Sequence, residues 1–169
     1  MEQNLPNSET SKQFGRNQTT HSISNKLKIT TMDKILNSGK YIFPLSFFLY
    51  VGLHLGKPDV GAAFVPDYIP FPYFWNYFTL VCILLFIVSA VIGKYDKLAY
   101  VLMALYVILM AVLVHLPRAM GHELEIGNMS ADLAREKELE MVNFFRNIMV
   151  TGALLAFAKF VAKDKRLIG

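Results

Sequence analysis

Charged residues are missing from long stretches of this chain of 169 residues. Between Tyr73 and Ile92, and again between Leu98 and Leu116, there is no Lys, Arg, Asp or Glu, which leaves uncharged runs of 20 and 19 residues. A helix of about 20 apolar residues crosses the roughly 30 Å hydrocarbon layer of a bilayer. Since 54% of the residues are hydrophobic and 18% are charged, the composition departs from that of soluble domains and indicates a membrane protein.

Cysteine is almost absent as well. Cys82 is the single one, which excludes a disulfide or a dithiol pair within the chain. The sequence also has no glycine-rich phosphate loop, no Gly-x-Ser-x-Gly turn and no His-Glu-x-x-His motif, so hydrolase and nucleotide-binding functions lack support. No metal site is predicted. No nucleic acid partner is expected, because the basic residues form no stripe with interleaved aromatics.

Two further apolar segments complete a prediction of four membrane-spanning helices. The last one contains Arg146 and Lys159 near its ends, where long side chains reach the lipid headgroups. The first one spans only if its helix begins near Ile35, and Pro44 should then kink it. The sequence therefore predicts an all-α membrane protein, a bundle of four transmembrane helices within residues 34–163.

Charge predicts the orientation of this bundle. Residues 1–33 are rich in Ser, Thr, Asn and Gln and should form a disordered tail, and residues 164–169 form a short basic tail. With four spans, the two tails and the middle loop carry 11 Lys and Arg residues, and the other two loops carry 4. Because basic residues prefer the cytoplasmic side, both termini are predicted to be cytoplasmic.

The two loops on the opposite side differ in character. Residues 56–72 are rich in Pro, Gly and aromatics, so no regular helix is expected there and the segment should lie at the membrane interface. The predicted aromatic belt at this interface consists of Tyr68, Phe71, Tyr73, Phe74 and Trp75. The other loop contains a charged, helix-forming run from Ser130, its expected cap, to Glu140. These charges are interpreted as a solvated face, or as a surface that docks a partner protein.

Alternating helix directions should bring polar residues from all four helices to one level near the outer surface. His54 and His115 end the two outward-running helices. Asn143, Arg146 and Asn147 share one helix face because they are spaced i, i+3 and i+4, and a polar face in lipid should turn toward the bundle. The predicted polar pocket consists of His54, Asn76, His115, Arg118, Asn143, Arg146 and Asn147.

This pocket has two chemical interpretations. Two neutral imidazoles that face each other can bind haem iron or another transition metal, and an Arg with amide donors can orient a quinone or an anion. Alternatively, the His and Asn side chains only hydrogen-bond the helices together. No carboxylate is predicted at membrane depth, so a simple proton-coupled transporter is disfavoured. The catalytic residues, if any, and the cofactor stay open.

Three short motifs add a family resemblance. They are Gly52-Leu-His54 at the end of the first helix, Val65-Pro-Asp-Tyr-Ile-Pro70 in the following loop, and Asn143-Phe-Phe-Arg-Asn147 at the start of the fourth helix, with Gly152 beyond it. From about Lys34 to Ala162 the chain resembles the DoxX-like family of small four-helix bacterial membrane proteins. The resemblance implies the bacterial inner membrane. Some members look like subunits of quinone-linked oxidoreductases, and others accompany redox or stress-response proteins.

Three functional hypotheses follow. The leading one is an accessory or anchoring subunit of a membrane redox complex, with a protein partner as well as the lipid bilayer. The alternative is a quinone- or haem-binding redox protein that uses His54, His115 and Arg146. The third is a small-molecule permease, for which four helices offer a narrow path unless the protein forms an oligomer.

Cysteine-accessibility labelling tests the geometric premise of the pocket. Cysteines placed at His54 and at Arg146 should both react with a reagent added from the non-cytoplasmic side, because alternating spans bring these positions to one level. Labelling of the two positions from opposite sides of the bilayer would contradict the four-span arrangement.

Overall fold

The computed structural model describes residues 31–122, 131–164, 166 and 168. The chain divides into two compact units, residues 1–39 and residues 40–169. Within the first unit, residues 31–39 are helical. Most of the predicted polar tail lies outside the described residues, and so does Ser130, the expected helix cap.

The described part of the second unit is helical throughout its regular structure. Residues 40–46 form helix α1. The elements that follow are α2 (Phe48–Gly56), α3 (Pro58–Ala63), α4 (Pro72–Ile92), α5 (Asp96–Met110), a π-helical segment (Ala111–His115), α6 (Leu116–Ala119) and α7 (Ala131–Phe160).

Three helices among the described residues are long and apolar enough to cross a membrane. They are Pro72–Ile92, Asp96–Ala119 and Ala134–Phe160. Many of their large apolar side chains are exposed, among them Leu85 and Leu102. Such surfaces are unfavourable in water and suited to lipid. The all-α prediction is confirmed for the described residues, and these three helices indicate a multi-pass membrane protein.

The predicted first span is interrupted. Helix α1 ends at residue 46, and α2 begins at Phe48. The break lies three residues after Pro44, and the N–H of Phe47 donates to the Pro44 carbonyl at 3.2 Å, which is the spacing of a turn. A proline ring in a helix favours such a break because it removes a donor and crowds the preceding turn. With nine residues, α2 is too short to cross a bilayer by itself.

The prediction that residues 56–72 contain no regular helix is wrong, because α3 occupies Pro58–Ala63. Pro58 stands in the first turn, where its missing N–H needs no partner and its fixed φ favours the helix. The hydroxyl of Tyr73 donates to Asp59 at 2.6 Å, which connects α3 to the start of α4. The aromatic residues of the predicted belt are all exposed.

Helix α5 packs against both α4 and α7. The turn from α4 to α5 contains Gly93, whose φ of 74° lies in the left-handed region that favours glycine. The centre of the core is aromatic: the Tyr100 ring lies 5.3 Å from that of Phe86 and 5.6 Å from that of Phe157. Leu154 fills the remaining space and is fully buried.

A buried carboxylate joins the end of α7 to the start of α5. Asp96 is only 4% exposed, and its carboxylate accepts hydrogen bonds from the backbone N–H groups of Lys97 at 2.8 Å and of Lys163 and Asp164 at 2.9 Å. These bonds satisfy backbone groups that the ends of the helices leave unpaired.

Asp164 completes the same connection in the opposite direction. Its carboxylate accepts the backbone N–H of Tyr95 at 2.8 Å. The hydrogen-bonded guanidinium of Arg166, followed by the backbone N–H groups of Tyr95 and Arg166, holds the pKa of Asp164 well below its usual range. The carboxylate is therefore ionised at physiological pH.

Replacing Asp96 by Ala should destabilise the fold by on the order of 3 kcal/mol, because three backbone donors would lose a charged acceptor at once. The measurement is unfolding of the purified protein in detergent. The matched control is Asp67→Ala, since Asp67 is exposed; this change should cost about 0.5 kcal/mol or less. Equal effects of the two substitutions would contradict the role given to Asp96.

Candidate functional site

A cavity of about 570 Å³ opens among α2, α3, α4, α5 and α7, a volume typical of small-molecule sites. Most of its lining is apolar and includes Phe47, Ile83 and Met103, and a smaller set of polar residues lines it as well. Six residues of the predicted pocket line it: His54, Asn76, His115, Asn143, Arg146 and Asn147. Whether these residues form a functional site stays a prediction.

His54 and Asn76 form a two-sided hydrogen-bonded pair. The amide nitrogen of Asn76 donates to the backbone carbonyl of His54 at 3.2 Å, and its Oδ1 lies 2.5 Å from Nδ1 of the His54 ring. A backbone carbonyl can only accept, so the amide nitrogen must face it and Oδ1 must face the ring. The His54 ring therefore carries its proton on Nδ1.

Gly61 makes room for this pair. A Cβ atom at this position of α3 would come within 2.9 Å of Asn76 Cγ and 3.1 Å of His54 Nδ1, and it would overlap Asn76 Oδ1. Asn76 itself is only 2% exposed. The close approach of α3 therefore covers the carboxamide and holds the orientation of the His54 ring.

His115 belongs to a second polar group. Its Nδ1 lies 2.6 Å from Oε2 of Glu140, whose other oxygen accepts a bond from Arg118 Nε at 3.2 Å. His115 and Glu140 are both buried. The Phe64 ring covers the group, with the Arg118 guanidinium 5.1 Å from its centre and the His115 ring edge-on to it. Because a carboxylate only accepts, Nδ1 of His115 is protonated too.

His115 is the last residue of the π-helical segment Ala111–His115. A π-helical turn holds more residues than an α-helical turn, so the side chains after it point in a new direction. Such segments are frequent at functional sites. Here His115, at the end of the segment, lines the cavity, and Arg118, three residues later, hydrogen-bonds to Glu140.

The charged run that ends at Glu140 was predicted to form a solvated face. This prediction is wrong for Glu140, whose side chain is buried and only 7% exposed. The signal was present in the spacing, since Glu140 precedes Asn143 by three residues and Asn147 by seven and thus shares their face. Neither Arg118 nor Glu140 lines the cavity, and the two are connected to it through His115. A carboxylate therefore does lie within the candidate span Ala134–Phe160.

The polar face of α7 is turned inward only in part. Asn147 is buried and Asn143 is half-buried, whereas Arg146 is exposed although it lines the cavity. Among the described residues, no carboxylate lies within ion-pair distance of Arg146. Its guanidinium is therefore available to a ligand or to a lipid headgroup.

Several polar lining residues were missed by the sequence analysis. Lys57 lines the cavity, as do Thr79 and Tyr106, whose side chains hydrogen-bond to each other. Single polar residues of this kind on apolar helices carry no spacing signal. Among the described residues there is no group of three or more His, Cys, Asp or Glu side chains that could hold a metal ion.

Comparison with protein-family models, with curated proteins and with solved structures finds no match to this chain. The long apolar helices indicate a helical multi-pass membrane protein, and its cavity has the volume of a small-molecule site. The resemblance to DoxX-like proteins stays a prediction.

Replacing Glu140 by Ala should destabilise the protein by on the order of 3 kcal/mol, because Arg118 and the N–H of His115 would both lose their acceptor in a buried place. Thermal unfolding in detergent measures this. Glu138 is exposed on the same helix, so Glu138→Ala should change stability by about 0.5 kcal/mol or less. A Glu140→Ala protein as stable as the control would show that the polar group does not hold the helices together.

Proposed function

We propose that this chain is an inner-membrane protein that binds a quinone-type molecule in the cavity. The proposed topology has four spans, with α1 and α2 as the first, and both termini in the cytoplasm. The proposed location is a bacterial inner membrane, as the resemblance implies. The observation that carries the proposal is the division of the cavity lining into many apolar residues and a smaller set of polar ones.

This division fits the two parts of a quinone. An isoprenoid tail gains free energy from contact with apolar side chains such as Ile83 and Met103, and the ring carbonyls need hydrogen-bond donors. Arg146, Lys57 and the amides of Asn143 and Asn147 can supply them. Both charged residues that line the cavity are cations, which suits the electron-rich oxygens of a quinone.

Binding can be followed through the single tryptophan. Trp75 lines the cavity, so a short-tailed quinone that enters should quench its fluorescence. The protein is purified in lipid nanodiscs and titrated with the quinone. Saturable quenching supports the proposal, and a response that grows linearly with quinone concentration, as in free lipid, would contradict it.

Arg146→Met should weaken quinone binding roughly tenfold, because a charged hydrogen-bond donor is lost. Lys159→Met removes the same charge from the same helix, and Lys159 does not line the cavity, so its affinity should match that of the unaltered chain. Equal effects of the two substitutions would remove Arg146 from the site. An optical spectrum of the purified protein distinguishes quinone binding from haem binding.

The family resemblance alone supports a second proposal, an accessory or anchoring subunit of a membrane redox complex. This role does not depend on the cavity. Purification in mild detergent should then return a stable protein partner, and a chain that stays alone under all growth conditions would count against it. A permease would be shown by transport of a small molecule across the membrane of sealed vesicles. It would also require an oligomer large enough to enclose a path.

A further inference from the structure

His54 and His115 line the cavity, and in both rings it is Nδ1 that is hydrogen-bonded, while Nε2 has no hydrogen bond to the described residues. Nδ1 of His54 faces Asn76 Oδ1, and Nδ1 of His115 faces Glu140. Among the described residues, no hydrogen bond engages Nε2 of either ring. When Nδ1 of a neutral imidazole carries the proton, Nε2 is an acceptor and cannot donate.

We propose that the cavity selects the reduced, hydroquinone form of its ligand, whose hydroxyl groups donate to Nε2 of His54 and, when its ring is neutral, to Nε2 of His115. This inference rests on the proposed function and names the form of the ligand that the site prefers. His54 carries the stronger case, because its partner Asn76 is uncharged and both hydrogen bonds of the pair agree on the position of the proton.

A quinone carbonyl and a hydroquinone hydroxyl differ in what they offer. The carbonyl only accepts hydrogen bonds. When Nδ1 of the histidine carries the proton, Nε2 is an acceptor as well, so a carbonyl next to Nε2 would form no hydrogen bond with it. A hydroxyl donates to Nε2, and its oxygen still accepts from a neighbouring donor such as Arg146 or Asn143. A site built to accept from a hydroxyl discriminates strongly against an analogue that lacks it.

Asn76 is the positioning residue in this arrangement. It is 2% exposed, it is held against the backbone of His54, and the absence of a side chain at Gly61 lets α3 cover it. If the carboxamide turned over, its oxygen would face the backbone carbonyl of His54, and both groups can only accept. The acceptor character of His54 Nε2 is therefore present before a ligand arrives, and no reorganisation is needed when it binds.

Three ligands of nearly equal size test the inference on the full chain in lipid nanodiscs. They are a hydroquinone with a short isoprenoid tail, its dimethyl ether, and the corresponding quinone, each titrated by isothermal calorimetry without oxygen. The hydroquinone should bind roughly tenfold more tightly than the ether and the quinone. His54→Phe should remove most of this preference. His122→Phe should preserve it, because His122 is exposed and does not line the cavity.

The possible results separate the two proposals. If the quinone or the ether binds as tightly as the hydroquinone, the selection is overturned and the proposed function stands. A His54→Phe protein that keeps the full preference also overturns it. If none of the three ligands binds, the proposed function fails together with the inference. Should His54→Phe not fold, the ratio between hydroquinone and ether on the unaltered chain decides.

Discussion

Lipid offers no hydrogen bond to a buried polar side chain, and the polar groups of this protein are arranged around that constraint. The Asp96 carboxylate accepts from three backbone N–H groups, and Asn76 bonds to both the ring and the backbone carbonyl of His54. Glu140 accepts from both His115 and Arg118. Among the described residues, no side-chain nitrogen or oxygen atom that is itself fully shielded from solvent lacks a partner. The apolar helices can therefore carry polar residues without a large penalty.

The same constraint separates the two ends of the bundle. Asp96 and His115 lie on one continuous helical stretch, 19 residues apart, which corresponds to about 28 Å at 1.5 Å per residue. At the Asp96 end, the carboxylates of Asp96 and Asp164 accept hydrogen bonds from backbone N–H groups, and Asp164 also accepts from the guanidinium of Arg166. At the His115 end polar groups line a cavity, and ring nitrogens and a guanidinium stay available. The second end is therefore the one suited to a ligand.

Much of the fold could be predicted because long uncharged runs have few alternatives in a membrane. The predicted spans from Tyr73 and Leu98 agree with the helices at Pro72–Ile92 and Asp96–Ala119. The first span was harder, because it joins a short apolar segment to Pro44, and its helix is broken at Phe47. The prediction misses helix α3 because glycine and proline usually interrupt helices, whereas Pro58 stands in the first turn, where a helix accepts proline.

The sequence by itself determined the class of protein, the positions of the long helices and six of the polar residues around the cavity, because hydrophobic length and helical spacing are local properties. Only the tertiary structure decided which polar groups pair. The approach of Gly61 to Asn76 and the burial of Glu140 beside His115 depend on how separate helices pack. Residues on different helices leave no spacing pattern in the sequence. The protonated nitrogen of each histidine, and thus the chemistry of the cavity, follows from those pairings.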